Sequence, residues 1–470
     1  MLFTEIVFIP FLFITFILFF LLRKHRRLQI LLLLIASYIF YGWWNVKFLW
    51  LLVFTSLMDY NLGNWIYKAR KPQKRKVYLW VSLIVNLGVL GYFKYANFFI
   101  ESTKALFTTF GITSGLHTLD IILPVGISFY TFQSLSYTLD IYFGKIKPTN
   151  SMLNFLTFVA AFPQLVAGPI VRAQELLPQL DKNFFDKSDD KGVYYIFYGL
   201  IKKMLVADML GFYLVDNIFA DPSAHSSLEL MVGLYAYAFQ IFFDFSAYSD
   251  IAIGLGKIFG LDFPVNFRFP YTARNPTEFW HKWHITLSTW FRDYLYIPMG
   301  GNRVSHLRHI FNLMVVMLVG GLWHGANWTF VVWGGLHGIY LVVHKLLPKP
   351  KQVNANMAVD ILKILFFFHL VCLTWIFFRS PDLTSALAYL KGILNFSFEF
   401  KKYPASLVSW LLGVSVFLHY VCEPRLERIV NKLSRVHWMV SVVMFFALFA
   451  LLSYLDELEI RHQAFIYFQF

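Results

Sequence analysis

The chain reads as an all-α polytopic membrane protein that crosses the bilayer about eleven or twelve times, with some helices broken or re-entrant. Three observations predict this. Hydrophobic residues make up 58% of the 470, aromatic residues 20% and charged residues 14%, where globular chains average roughly 25% charged. The apolar residues fall in runs near the roughly 20 residues a helix needs to cross the hydrocarbon, or in shorter runs suited to re-entrant segments. Basic residues collect in the short loops between those runs, the pattern of cytoplasmic loops.

In chain order the runs are Glu5 to Leu22, Leu28 to Trp44, Phe48 to Tyr67, Val77 to Tyr92, Leu153 to Val171, Tyr194 to Val215, Leu228 to Gly260, Ile310 to Leu322, Trp328 to Val343, Ile361 to Phe378, Leu407 to Tyr420 and Trp438 to Leu455. The first lacks a basic n-region and a small-residue cleavage site, and "RKHRR" follows it, so it reads as a retained helix. That cluster and "KARKPQKRK" from Lys68 lie two crossings apart and mark the cytoplasm, which puts the N-terminus outside. "HKLLPKPK" from His344 and "EPRLERIVNKLSR" from Glu423 also read as cytoplasmic, which sends the last helix outward. One membrane domain is thus expected over 1–455, followed by an exoplasmic aromatic tail over 456–470. The net charge of +14 follows from the basic loops and calls for no nucleic acid. Cys372 and Cys422, at or near helix ends, predict neither a disulfide nor a metal site.

Ionisable groups inside a membrane are costly and face a cavity or a function by default. "QIFFDFSAYSDIAIGLG" places Asp244, Ser246, Tyr248, Ser249 and Asp250 in an apolar run; a polar packing seam and the lining of a site both fit. "NPTEFWHKWHITLSTWFRDYLYIPMGGNR" predicts one helix after Pro276, with Trp280, Trp283, Leu287, Trp290 and Tyr294 in an aromatic stripe of interfacial type. His281 then faces solvent and His284 faces inward. Lys282, Arg292 and Arg303 are left for an anionic ligand or for the membrane surface.

"GGLWHGANWTF", from Gly320, breaks two apolar helices with a histidine. If the two form a hairpin from the cytoplasmic side, an arm of about 13 residues rises roughly 20 Å and puts His324 inside the membrane. Gly320, Gly321 and Gly325 permit a tight reversal. A purely structural histidine remains an alternative, against which stand Asn327 nearby and His337 on the second arm. A neutral imidazole in a low-dielectric cavity accepts a proton from a hydroxyl, a role worth typically 10²- to 10⁴-fold in rate. No Ser-His-Asp spacing, Walker loop or dinucleotide loop is present. Ion or proton transport stays possible, although no two matching halves are found.

At this point the residues resemble a known family. "FWHKWHITLSTWFRDYLYIPMGGNR", followed by "GGLWHGANWTFVVWGGLHG", is similar to the motifs of the membrane-bound O-acyltransferases, most closely their bacterial alginate O-acetylation branch. "LPVGISFYTFQSLSYTLDIYFG", "FPQLVAGPIVR" and "FFDFSAYSDIAIGLG" fit the same branch, and the likeness runs from the first helix to the final "FIYFQF". The resemblance implies a ring of tilted helices around a thinned centre, where an outer funnel and a cytoplasmic entrance meet near the active histidine. The family's essential "WHG" histidine falls on His324 and its second catalytic position on His284. It also implies a bacterial inner (plasma) membrane, and an exported Ser-hydrolase-like (SGNH) acetyltransferase as partner that acetylates a polysaccharide.

The reaction expected from this is acetyl transfer from cytosolic acetyl-CoA toward an acceptor outside, without a metal. Lys282, Arg292 and Arg303 would hold the CoA phosphates. His324 would act as base, with His284 and Asn327 positioning the thioester or steadying the oxyanion. The tail is too short to span and too aromatic to float freely. Tyr467, flanked by Phe465, Ile466, Phe468 and Phe470, is expected to take the acetyl group and relay it outward. A membrane anchor or a partner-docking strand is the other reading of that tail. Two other functions are weighed: acyl transfer to another envelope polymer, such as D-alanine from a carrier protein to teichoic acid, and a non-enzymatic transporter.

Overall fold

The computed structural model describes residues 1–470 except 166–167, 185–188, 349–355, 401, 435–442, 444–449, 451–453, 455–465 and 467–470. The described residues are helical or irregular, with no strand among them. Among the described residues, six helical stretches are long and apolar enough to cross a membrane: Arg26–Lys68, Pro72–Thr109, Ser227–Ile258, His306–His324, Met357–Arg379 and Ala405–Leu433. This is a multi-pass membrane protein. The run expected at Trp438 to Leu455 lies almost wholly outside the described residues.

The chain divides into two units, Met1–Ile196 with Ile251–Pro264, and Phe197–Asp250 with Val265–Phe470. In the first, the predicted runs become the helices Phe8–Leu21, Arg26–Asn45, Leu49–Lys68 and Pro72–Leu90, the last starting on a proline whose missing N–H costs nothing there. Against them packs Ile127–Tyr142, a helix buried at every position but Tyr142. It escaped the list of apolar runs because it carries Ser128, Gln133, Ser134, Ser136, Thr138 and Asp140. Such polar side chains are tolerated when protein rather than lipid surrounds them. Asp59 shows how: its carboxylate, fully buried, accepts from Ser82 at 2.7 Å, Asn86 at 2.8 Å and Ser134 at 2.5 Å. A buried acid with all its bonds made ties three helices together without an orphaned charge.

The second unit is organised around the Ser227–Ile258 helix, whose residues up to Asp250 belong to it. Ser226 and Glu229 close its start reciprocally: the Ser226 N–H donates to the Glu229 carboxylate and the Glu229 N–H to the Ser226 hydroxyl. The two carboxylates of its "DFSAYSD" stretch are neutralised by consecutive lysines from a π-helical turn, Lys202–Ala207. Lys203 Nζ lies 2.6 Å from Asp208 and 2.7 Å from Asp244; Lys202 Nζ lies 2.6 Å from Asp250 and 2.7 Å from Glu423.

The hairpin differs from expectation in length. Its ascending arm is His306–His324, 19 residues and so about 28 Å, against the 20 Å read from the apolar core alone. It is therefore long enough to cross unaided rather than being a short re-entrant arm. The descending arm, Trp328–Leu346, has Asn327 as its cap. Of the glycines, Gly321 and Gly334 set the close approach. A Cβ on Gly321 would overlap the Phe330 carbonyl and one on Gly334 the Met317 carbonyl, whereas one on Gly320 would meet only the Phe291 ring at 3.8 Å.

The helix expected to run unbroken past Pro276 is two helices. Pro276–Lys282 ends, and Ile285–Phe291 begins one residue after His284, which adopts a left-handed backbone (φ 41°, ψ 56°). The aromatic stripe is not laid on the membrane surface: Trp283 and Trp290 are buried, and the Trp283 ring stands 5.0 Å from that of Trp375.

Candidate active site

His324 is the last residue of the ascending arm and is buried. Trp323, Trp333 and Phe378 surround it, with ring centroids 5.1, 5.0 and 5.3 Å away, each edge-on. His284, also fully buried, brings its ring to 6.4 Å from that of His324. Two histidines from separate stretches of sequence are thus buried side by side among aromatic rings.

His284 is held from two sides. The Phe245 ring meets it edge-on at 4.6 Å. Its Nδ1 lies 3.1 Å from Asn266 Oδ1, and Thr286 brings its backbone N–H and its hydroxyl to the same oxygen, at 3.3 and 2.9 Å. A backbone N–H can only donate, so the shared atom is the amide oxygen and Nδ1 is the protonated nitrogen. In the neutral ring the lone pair then lies on Nε2. Asn266 also accepts the Ile285 N–H through its backbone carbonyl at 2.9 Å and donates to Ser249 Oγ at 3.3 Å. The left-handed turn and the imidazole tautomer therefore depend on one asparagine. Two buried imidazoles this close, one of them oriented with its Nε2 lone pair available, can take a proton from a hydroxyl, and the imidazolium that results can stabilise the charge that follows.

Residues 146–379, which hold both histidines, match the membrane-bound O-acyltransferase family. Over 378 residues the chain is 42% identical to a probable alginate O-acetylase of Azotobacter vinelandii, an alignment covering 79% of this chain and 73% of that protein. The chain belongs to the membrane-bound O-acyltransferase family. It is 43% identical over 375 residues to a probable alginate O-acetylase of Pseudomonas aeruginosa, covering 79% and 71% of the two chains. It is 38% identical over 391 residues to the peptidoglycan O-acetyltransferase of Helicobacter pylori, covering 77% and 73%. As a member of the family this protein is an acyltransferase that uses an acyl donor.

The other residues singled out in this acyltransferase fall as follows. Asn327 caps the descending arm, its Oδ1 accepting the Thr329 N–H at 3.0 Å while its Nδ2 donates to the Pro381 carbonyl at 2.7 Å. Lys282 is half-buried and reaches Thr272 Oγ1 at 2.9 Å. Arg292 is exposed and paired with Asp293 at 2.7 Å; Arg303 is exposed in the loop before the hairpin. His281 faces out, as expected. His337 is buried and bonded to Thr374 Oγ1 at 3.0 Å, its ring 4.8 Å from that of Trp333, which also borders His324. Tyr467 lies outside the described residues. Its neighbour Ile466 is described: it is buried, and its backbone N–H donates to Asp244 Oδ2 at 2.7 Å.

Asn266 was not foreseen. It sits in "FPVNFRFP", a short polar interruption that reads as an ordinary loop. The one available signal is an uncharged amide among aromatic residues, 18 positions before the histidine it holds.

Proposed function

We propose that this acyltransferase moves acetyl groups from cytosolic acetyl-CoA across a bacterial inner membrane, with both termini outside, to an exported Ser-hydrolase-like partner that O-acetylates a polysaccharide of alginate type. The observation that carries this reading is the pairing of His324 with His284, buried among aromatic rings, ring to ring at 6.4 Å. Relatives named for alginate and peptidoglycan O-acetylation support the acetyl group and the polysaccharide. Ile466, the neighbour of Tyr467, is buried.

In the proposed sequence the Tyr467 phenol attacks the thioester carbonyl of acetyl-CoA, and its proton passes to the His324 imidazole as the C–O bond forms. The His324 imidazolium so formed stabilises the tetrahedral oxyanion, and His284, oriented by Asn266, positions the thioester; Asn327 holds the turn that presents His324. The intermediate collapses with cleavage of the C–S bond, and the thiolate takes the proton back from the imidazolium. CoA leaves, and the Tyr467 ester is then the donor for the partner's serine. Lys282, Arg292 and Arg303 are the proposed contacts for the CoA phosphates.

The test is release of CoA from acetyl-CoA by the purified protein in detergent, wild type beside His324→Ala, with mass spectrometry of the C-terminal peptide. CoA release that vanishes in the variant, with an acetyl mass on Tyr467 in the wild type, is the expected result. Equal release from both proteins removes His324 from the chemistry. Full polymer acetylation by Tyr467→Phe sinks the relay.

A further inference from the structure

No Asp or Glu occurs between Asp293 and Asp360, a stretch that contains both arms of the hairpin and carries Arg303, Arg308, Lys345, Lys349 and Lys351. At the end of the hairpin remote from His324, that imbalance becomes a definite group of side chains. Lys345, in the last turn of the descending arm, contacts His309 Nδ1, and His309 Nε2 lies 2.8 Å from the Tyr296 hydroxyl. An ammonium can only donate, so Nδ1 is the acceptor and the neutral ring carries its proton on Nε2. That N–H goes to the Tyr296 oxygen, which leaves the phenolic O–H to donate elsewhere. Lys345 likewise keeps two of its three donors. It is half-buried, and among the described residues no carboxylate pairs with it.

A cation drawn partly out of water without a counter-ion is costly. An ammonium and a phenol held on one imidazole suit an anion with several oxygens, and phosphate is the common one that lysine binds. The surroundings indicate where that phosphate comes from. Leu307 is 79% exposed, and Phe311, one turn along the ascending arm, and Leu346 and Leu347, which follow Lys345, are exposed as well. The Arg308 guanidinium adds a second cation, 5.0 Å over the Phe311 ring. Apolar side chains and unpaired cations in one place match the boundary between acyl chains and headgroups, where anionic lipids attract lysine and arginine. We propose that Lys345 and Tyr296, held on His309, form a binding site for an anionic phosphate ester, filled by the phosphodiester of an anionic phospholipid whose chains cover the exposed apolar residues. The site uses none of the residues in the reaction above and stands without the acetyl-transfer reading. His309 belongs to the ascending arm, Lys345 to the descending arm and Tyr296 to the π-helical turn Arg292–Tyr296. A phosphate there ties all three together at the base of the hairpin, about 22 Å along the arm from His324.

The experiment uses the full-length protein in detergent, incubated with phosphatidylglycerol or with phosphatidylcholine of the same chains and read by native mass spectrometry. The wild type is expected to retain phosphatidylglycerol in preference to phosphatidylcholine. Lys345→Met should lower that retention by about 10-fold, as loss of a hydrogen bond to a charged group does, and Tyr296→Phe by about 5-fold, as loss of a neutral donor does. Lys345→Arg keeps the charge and its donors and should retain the lipid as the wild type does. So should Lys71→Met, which removes an exposed lysine from another basic loop. Thermal unfolding of Lys345→Met beside Lys345→Arg separates loss of the site from loss of the fold. Equal retention of the two lipids by the wild type, unchanged retention in Lys345→Met, or an equal loss in Lys71→Met overturns the proposal. Free CoA, added to the lipid-bound protein, distinguishes the two sources of a phosphate ester. Phosphatidylglycerol that stays bound assigns the site to the membrane; displacement by CoA that itself binds through Lys345 keeps the phosphate site and overturns the phospholipid as its occupant.

Discussion

At the scale of single residues, the histidines were legible because each interrupts an apolar run in a distinctive setting, "WHG" for His324 and "KWH" for His284. Their support was not, since Asn266 acts through geometry that no local pattern encodes. This has a measurable consequence. Asn266→Leu removes the acceptor that holds His284 Nδ1 and the Thr286 hydroxyl together. In the proposed reaction, loss of the oriented ring should lower kcat by about 10²-fold, the lower end of general acid–base contributions, with KM for the proposed donor acetyl-CoA changed little. Asn266→Asp keeps an oxygen in place and should retain more of the rate. Asn327 offers a cleaner separation of structure from chemistry. Asn327→Ala should cost about 1 kcal/mol of stability through the lost cap, while Asn327→Ser keeps the cap and should restore the melting temperature. Activity that tracks stability across this pair assigns Asn327 to the turn; activity lost in both variants assigns it to the reacting groups.

At the scale of elements, the apolar runs located the Ser227–Ile258 helix and both arms of the hairpin to within a few residues, because each is apolar along most of its length. The helical period failed at His284. No proline or glycine marks that break, and the spacing of Trp280, Trp283, Leu287 and Trp290 continues across it. The left-handed residue is imposed by tertiary bonds to Asn266, which a period cannot register. The hairpin supplies the element-scale prediction. Gly321→Ala forces a methyl group against the Phe330 carbonyl, where backbone must move, and should destabilise the protein by about 1–3 kcal/mol. Gly320→Ala, one residue away with space beside it, should be close to neutral. Thermal unfolding in detergent distinguishes the two, and equal melting temperatures would argue against a close crossing.

At the scale of the whole molecule, composition and basic loops were enough to establish a multi-pass membrane protein, but not how its internal charges are balanced. Lys202 and Lys203 lie inside the predicted apolar run Tyr194 to Val215, which names no partner for them; they are buried on a π-helical turn and serve four carboxylates. Breaking such a cluster by removing one partner is worse than removing it all. Lys202→Met, which leaves Asp250 and Glu423 facing each other without their cation, should destabilise by about 3–5 kcal/mol. Adding Asp250→Leu and Glu423→Leu to it should recover much of that loss. A triple variant less stable than the single one would contradict this account of the cluster.

The left-handed backbone of His284 also bears on how variants of this protein will sort in a screen. A side chain with a Cβ is disfavoured in that conformation and glycine is not. His284→Gly should therefore relax the turn more than His284→Ala does, although both delete the imidazole equally. The difference in melting temperature between the two variants therefore reads the backbone strain at position 284 apart from the loss of the buried ring and its bond to Asn266.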